Sequence, residues 1–159
     1  MNYIKITKND IANGEGVRVV LWLSGCSHNC KGCHNPQTHD PLAGKLFDKN
    51  AKMEIVEELN KPYIAGITLS GGDPLYEDNL IDVLNLINEI RDEFPNKTIW
   101  IYSGYTYENC GESPLRKEIV ERCDVFVDGR YREDLKDITL QWRGSSNQRV
   151  INIKEINKC

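Results

Sequence analysis

Four short apolar runs, each closed by glycine or a small polar turn and separated by longer charged stretches, constrain this chain more than any other feature. Val17-Arg18-Val19-Val20-Leu21-Trp22-Leu23 is rich in β-branched and aromatic residues and stops at Ser24-Gly25. Ile64-Ala65-Gly66-Ile67-Thr68-Leu69 runs into Ser70-Gly71-Gly72-Asp73-Pro74, Thr98 to Tyr102 closes at Ser103-Gly104, and Asp124 to Asp128 stops at Gly129. Between them, Asp48 to Asn60 places Met53, Val56 and Leu59 at helical spacing. Leu80, Val83, Leu84, Ile87 and Ile90 predict an amphipathic helix from Asp78 or Asn79 to about Phe94, N-capped by Asp or Asn, with Pro95 past its end. Ser113-Pro114 predicts a capped start for a short helix through Leu115, Ile119 and Val120. Strands alternating with helices predict an α/β fold with a mostly parallel sheet and right-handed crossovers. At 159 residues the chain has room for one core but is well short of the ~250 residues of a closed eight-stranded (β/α) barrel, so the sheet is open or the barrel incomplete.

In parallel sheets the working groups gather at the C-terminal ends of the strands. Those ends carry a cysteine loop, Gly71-Gly72-Asp73, Ser103-Gly104-Tyr105 and Asp128-Gly129-Arg130, so these loops are expected to share one rim. The first of them, Cys26-Ser27-His28-Asn29-Cys30-Lys31-Gly32-Cys33, has the form C-x3-C-x2-C, while Cys110, Cys123 and Cys159 are dispersed. Six cysteines in 159 residues fall below the ~8–10% that marks a disulfide scaffold. Met1-Asn2-Tyr3-Ile4-Lys5 lacks an apolar signal region, and no apolar run approaches the ~18 residues a bilayer requires. The expectation is a cytoplasmic protein with no membrane partner, in a compartment where clustered cysteines bind metal or catalyse more often than they bridge. A formal net charge of -4 is the wrong sign for affinity built on neutralising phosphates, so no direct nucleic-acid partner is expected.

Three thiolates this close can ligate three irons of a cubane cluster and leave the fourth open to a substrate or cofactor. Zinc with His28, His34 or His39 as fourth ligand is an alternative, although structural zinc usually shows two separated ligand pairs and no second pair follows; unrelated thiols are the remaining one. Loop histidines are more often solvated or hydrogen-bonded than ligating. Cys123 ends a helix and reads as core, Cys159 as a terminal thiol, and Trp100 as packing. Arg143 to Arg149 reads, on its residues alone, as a polar turn before a strand from Val150 to Ile153.

C-x3-C-x2-C after one strand, followed by Gly71-Gly72-Asp73-Pro74 after the next, resembles the radical S-adenosylmethionine (SAM) superfamily. Asn13-Gly14-Glu15-Gly16-Val17-Arg18, Ser24-Gly25-Cys26, Cys33-His34-Asn35, Leu69 to Leu75, Val127-Asp128-Gly129 and Trp142 to Arg149 together resemble the activating proteins of anaerobic ribonucleoside-triphosphate reductases, over nearly the whole chain. The last of these stretches points to the subfamily; the cysteines identify only the superfamily. The resemblance implies an incomplete (β/α) barrel of the radical SAM type in a single domain, residues 1–159. It implies a [4Fe-4S] cluster on Cys26, Cys30 and Cys33 whose open iron is chelated by the amino and carboxylate groups of SAM. One-electron cleavage of SAM then gives a 5'-deoxyadenosyl radical, which removes a hydrogen from a glycine Cα. The implied partners are a large anaerobic reductase subunit as protein substrate and a small electron-donor protein.

By the same resemblance, Gly32, Cys33 and His34 run their backbone past the adenine, and Gly71 and Gly72 approach the methionine moiety with no Cβ in the way. Asp73 stands where the superfamily more often has glutamate; it accepts from the SAM ammonium, or leaves that role to the backbone of Gly72. Asp128 is expected on the ribose hydroxyls and Arg130 on the SAM carboxylate, against the plainer reading in which Asp128 caps a turn. Asn13 stands where pyruvate formate-lyase activating enzyme has an aspartate, which removes the charge of a cation site there. The alternatives are another small radical SAM enzyme, of the 7-carboxy-7-deazaguanine synthase or pyruvate formate-lyase activase type, and a non-catalytic zinc or electron-transfer module. An incomplete barrel implies a site open on one side, wide enough for a loop of a large protein.

Overall fold

A computed structural model describes residues 1–158, so Cys159 and its reading lie outside the described residues. In chain order the elements are β1 (Asn2–Asp10), β2 (Val17–Leu23), β3 (Lys45–Leu46), α1 (Lys49–Leu59), β4 (Ile64–Gly71), α2 (Leu80–Glu93), β5 (Thr98–Tyr102), α3 (Tyr107–Cys110), α4 (Pro114–Glu121), β6 (Val125–Asp128), β7 (Arg149–Asn152) and α5 (Ile153–Ile156). They form one seven-stranded sheet in the order β3-β1-β2-β4-β5-β6-β7. The pairings β2–β4, β4–β5 and β5–β6 are parallel, and those that add β3, β1 and β7 at the flanks are antiparallel. The expected parallel sheet is met at the centre, while the flanking pairings make the whole sheet mixed, and it is not closed.

Strand order follows chain order across β2-β4-β5-β6, and crossovers of one hand then put every crossover helix on the same face. Val19, Leu21, Leu23, Ile67, Leu69, Ile99, Ile101 and Phe126 accordingly form one buried cluster with Ile55 and Leu59 of α1, Val83, Ile87 and Ile90 of α2, and Ile119 of α4. The caps are partly those the sequence predicts. Asp48 accepts from the Ala51 N–H, and Ser113 from the Arg116 N–H with Pro114 at the first helical position. Asn79 precedes α2 without capping it; its amide instead donates to the Ser24 carbonyl at 2.8 Å and ties α2 to the cysteine loop.

The alternating residues of the same strands make the opposite face. Arg18 there is fully buried and donates to Thr68 Oγ1 (2.8 Å), Thr98 Oγ1 (2.8 Å) and the carbonyls of Glu15, Ile67 and Thr98, with its guanidinium 5.4 Å from the Trp100 ring centre. Burial against these neutral acceptors lowers the Arg18 pKa to about 10, still charged at neutral pH. Trp100 in turn meets Trp142 edge-on at 4.9 Å, which bears out its reading as packing. Loops cover this face, and no helix among the described residues is long and apolar enough to cross a membrane.

Candidate functional site

The cysteine loop leaves β2 through Gly25, whose N–H bonds the Thr38 carbonyl (2.8 Å), and the Cys26 N–H bonds that of His39 (3.1 Å). These bonds fold the chain from 25 to 39 back on itself. The left-handed backbone of Asn29 (φ 47°) then turns it between Cys26 and Cys30. All three loop cysteines open onto one cavity of about 440 Å³. Ser70, Gly71 and Gly72 at the end of β4, Ser103 and Gly104 after β5, and Gly129 after β6 line the same cavity, so the four strand-end loops do share one rim. Trp22, Tyr102 and Trp142 form its wall on the helix-free face.

Burial pushes the Cys26 thiol up to about 11, against the backbone N–H groups of His28 and Asn29 that point at its sulfur. Burial also raises Cys30, opposed by backbone hydrogen bonds at Tyr131 and Cys30 itself and by the Arg130 charge. Cys33 Sγ accepts from the Asn35 N–H at 3.4 Å. N–H donors at half-buried thiols offset part of the desolvation that a thiolate ligand would meet there, and a bound metal's charge would supply the rest. Three cysteines on one loop that open onto a single cavity, with no second pair of ligand cysteines in the chain, fit an iron–sulfur cluster held by three thiolates.

His34 lines the cavity and packs on Tyr131 at 4.9 Å. Gly32 (φ 72°) packs against the Glu133 side chain, where a Cβ would fall 2.9 Å from Oε1. Gly71 and Gly72 line the cavity, and their lack of a Cβ has a further cause. A Cβ on Gly72 would lie 2.5 Å from the Gly25 carbonyl oxygen, so this turn is glycine to fit against the cysteine loop itself.

Asp73 is engaged within the protein. It is buried, and its Oδ1 accepts from the Leu75 N–H (2.8 Å), while Oδ2 meets Ser103 Oγ (2.9 Å), the Gly104 N–H (3.0 Å) and His28 Nε2 (2.7 Å). Both oxygens accept from internal donors. Asp128 is engaged in the same way. The β6–β7 register sets it opposite Arg149, whose Nε donates to Oδ1 (3.0 Å), and the Tyr107 N–H donates to Oδ2 (2.8 Å). The buried carboxylate is thus tied to Arg149 and to the start of α3, at the edge of a hollow beside the cysteine cavity. Arg149 also bonds the exposed Glu108 (2.7 Å) and so pulls the Glu108 pKa down to about 2. Arg130 is exposed on an adjoining hollow with Asn147 and Arg149, outside the cysteine cavity.

The stretch from Arg143 to Arg149 turns out to be a clasp. The Gln148 side chain accepts from the N–H groups of Gly144 (2.9 Å) and Ser145 (3.1 Å) and donates to the Gly129 carbonyl (3.0 Å). Asn147 donates to the Arg130 carbonyl (2.8 Å). The polar turn thus fastens the loop after β6. Tyr102 and Trp142, joined by a 2.7 Å bond from the tyrosine hydroxyl to the Trp142 carbonyl, are cavity residues that sequence reasoning missed; the Trp142 motif was the only signal. Cys110 and Cys123 are buried, and burial lifts Cys110 to about 12 and Cys123 higher still.

Residues 12–151 match the family model of a 4Fe-4S single cluster domain. The chain is 43% identical over 150 residues to the anaerobic ribonucleoside-triphosphate reductase-activating protein of Enterobacteria phage T4, covering 94% of this chain and 93% of the relative. It is 42% identical over 156 residues to the protein of that name from Escherichia coli K12 (97% and 100% covered), and 38% over 150 residues to that of Vibrio cholerae (93% and 96%). With its cysteine loop, glycine turn and clasp all inside the matched span, this chain belongs to the family of anaerobic ribonucleoside-triphosphate reductase-activating proteins.

Proposed function

We propose that this chain activates an anaerobic ribonucleoside-triphosphate reductase by generating a glycyl radical on its large subunit, as a radical SAM enzyme whose single domain spans residues 1–159. The one-sided open sheet is, in this reading, the incomplete (β/α) barrel of that superfamily. The observation that carries the proposal is that Cys26, Cys30 and Cys33 open onto the same cavity as the Gly71-Gly72 turn, on the face the helices leave free.

Cys26, Cys30 and Cys33 hold the [4Fe-4S] cluster, and Gly71, Gly72 and His34 contact SAM. When bound, these groups would supply one-electron reductive cleavage of a carbon–sulfur bond of the SAM sulfonium, with methionine leaving and 5'-deoxyadenosine formed as the glycine Cα gives up a hydrogen atom. The chain's own residues orient and protect. The N–H groups at the sulfurs steady the thiolates. Gly72, whose N–H is taken by the Leu23 carbonyl at 2.8 Å, offers its carbonyl oxygen to the SAM ammonium in place of Asp73. Trp22, Tyr102 and Trp142 shield the cavity from water. A small electron-donor protein delivers the electron, and a loop of the reductase enters where the sheet is not closed.

Anaerobically reconstituted protein is expected to bind iron and sulfide, to form 5'-deoxyadenosine from SAM under reduction, and to give the reductase a glycyl radical signal by EPR. A colourless chain carrying one zinc, or a reconstituted chain that leaves SAM intact, overturns the proposal.

A further inference from the structure

His28 sits between two of the candidate ligands, yet its ring turns away from ligation. Its side chain is 5% exposed and fills a notch at Gly104, where a Cβ would come within 2.3 Å of the ring. Tyr105 meets the ring edge-on at 4.6 Å and is backed by the Arg116 guanidinium at 4.2 Å. Nε2–H donates to Asp73 Oδ2 at 2.7 Å, the oxygen that also takes Ser103 Oγ and the Gly104 N–H. Nδ1 is buried without a partner. An unpaired buried nitrogen is unfavourable where an apolar ring would avoid it, so the imidazole's value here lies in its other nitrogen.

We infer that His28 is the positioning residue of the cysteine loop: through Asp73 it pins the loop after β2 to the turns after β4 and β5. The pair then sets how far the thiols stand from the Gly71-Gly72 turn. The inference accounts for aspartate at 73 in place of glutamate, because the shorter arm turns inward to His28, Ser103 and Gly104 instead of outward to the cavity. It rests on the proposed function, in which the cysteines hold the cluster and the glycine turn holds SAM.

The test compares reconstituted full-length wild type, His28→Leu and His28→Gln; a glutamine amide nitrogen reaches about where imidazole Nε2 lies. Cluster iron and sulfide, the EPR spectrum of the reduced cluster with and without SAM, and kcat and KM for SAM in 5'-deoxyadenosine formation are measured. His28→Leu is expected to keep its cluster iron while KM rises roughly 10–100-fold, the scale for losing an outer-shell partner. The change that SAM causes in the EPR spectrum is expected to weaken in parallel, and His28→Gln to recover most of both. A His28→Leu chain with wild-type KM and spectrum overturns the inference. So does loss of iron from both variants at an unchanged melting temperature, which would make His28 a ligand. Ser103→Ala removes another donor from Asp73 without touching the loop, and is expected to raise KM by less; with His28→Leu unfolded, an unchanged KM in Ser103→Ala and a wild-type KM in His28→Gln without its Asp73 bond overturn the inference. A wild-type chain that binds no cluster, or ignores SAM, defeats the proposed function instead and is read before any variant.

Discussion

On β2, Val19, Leu21 and Leu23 join the helix-packed core, while Arg18 and Trp22 face the loops, and the same alternation runs through β4 and β5. The two faces share every strand and differ in what holds them. The helix face is a continuous apolar cluster, stabilised by area removed from water and tolerant of swaps that conserve volume. The loop face is held by particular partners: Arg18 on five neutral oxygens, Asp73 on four donors, Asp128 on Arg149. Such networks fix geometry and fail member by member, because each loss strands a buried group. The molecule thus separates stability from chemistry across the thickness of one sheet.

The sharpest way to break that separation is to remove one of the proposed cluster ligands. Serine at Cys26, Cys30 or Cys33 is expected to abolish cluster iron and reductase activation while far-UV circular dichroism stays native, since no cysteine of the loop belongs to the core. Cys110→Ser, in the core, is expected to keep the iron. On the other face, Ile87→Ala or Leu69→Ala removes a fully buried side chain and is expected to lower unfolding free energy by about 2–5 kcal/mol in denaturant titrations, with iron per folded chain unchanged. Arg18→Met tests the boundary between the faces. It leaves Thr68, Thr98 and backbone carbonyls without their donor and is expected to cost about 1–3 kcal/mol, a loss that Thr68→Val in the same chain partly masks.

The smallest effect is expected from pH. Burial raises the Cys110 thiol from 9.0 to about 12, so the folded chain keeps a proton that the unfolded chain releases first. This contribution is full below about pH 9 and is lost as pH rises toward 12, so thermal stability should sag in that window and less so in Cys110→Ala. Rapid iodoacetamide labelling of Cys110 in the folded chain at pH 8 would contradict its burial.

The parallel strands were legible because strands covered on both faces read as unbroken β-branched runs, and β2 and β5 match their expected limits. β1 was not. It lies near the sheet edge with half-buried residues, and irregularities in its pairing after Tyr3 and Thr7 interrupt the alternation that would have marked it. β3, two residues long, and α3, four, carry no period at all. The cysteine loop was legible since its spacing is local. The internal partners of Asp73 and Asp128 were not legible, because His28 and Arg149 lie 45 and 21 residues away and meet them only through the fold. A lone aspartate at a strand end does not reveal whether its arm turns outward or in.

The order in which the strands lie in the sheet has a further consequence, for how the molecule is made. From β2 through β4, β5 and β6 to β7 each strand joins a neighbour already synthesised, so the sheet can grow at one advancing edge as the chain leaves the ribosome. The seam that carries the thiols is available early, and the last strand delivers Arg149 to Asp128 and draws the Gln148 clasp over the rim. A chain stalled short of β7 would carry its thiols beside a rim whose last loop is still unfastened.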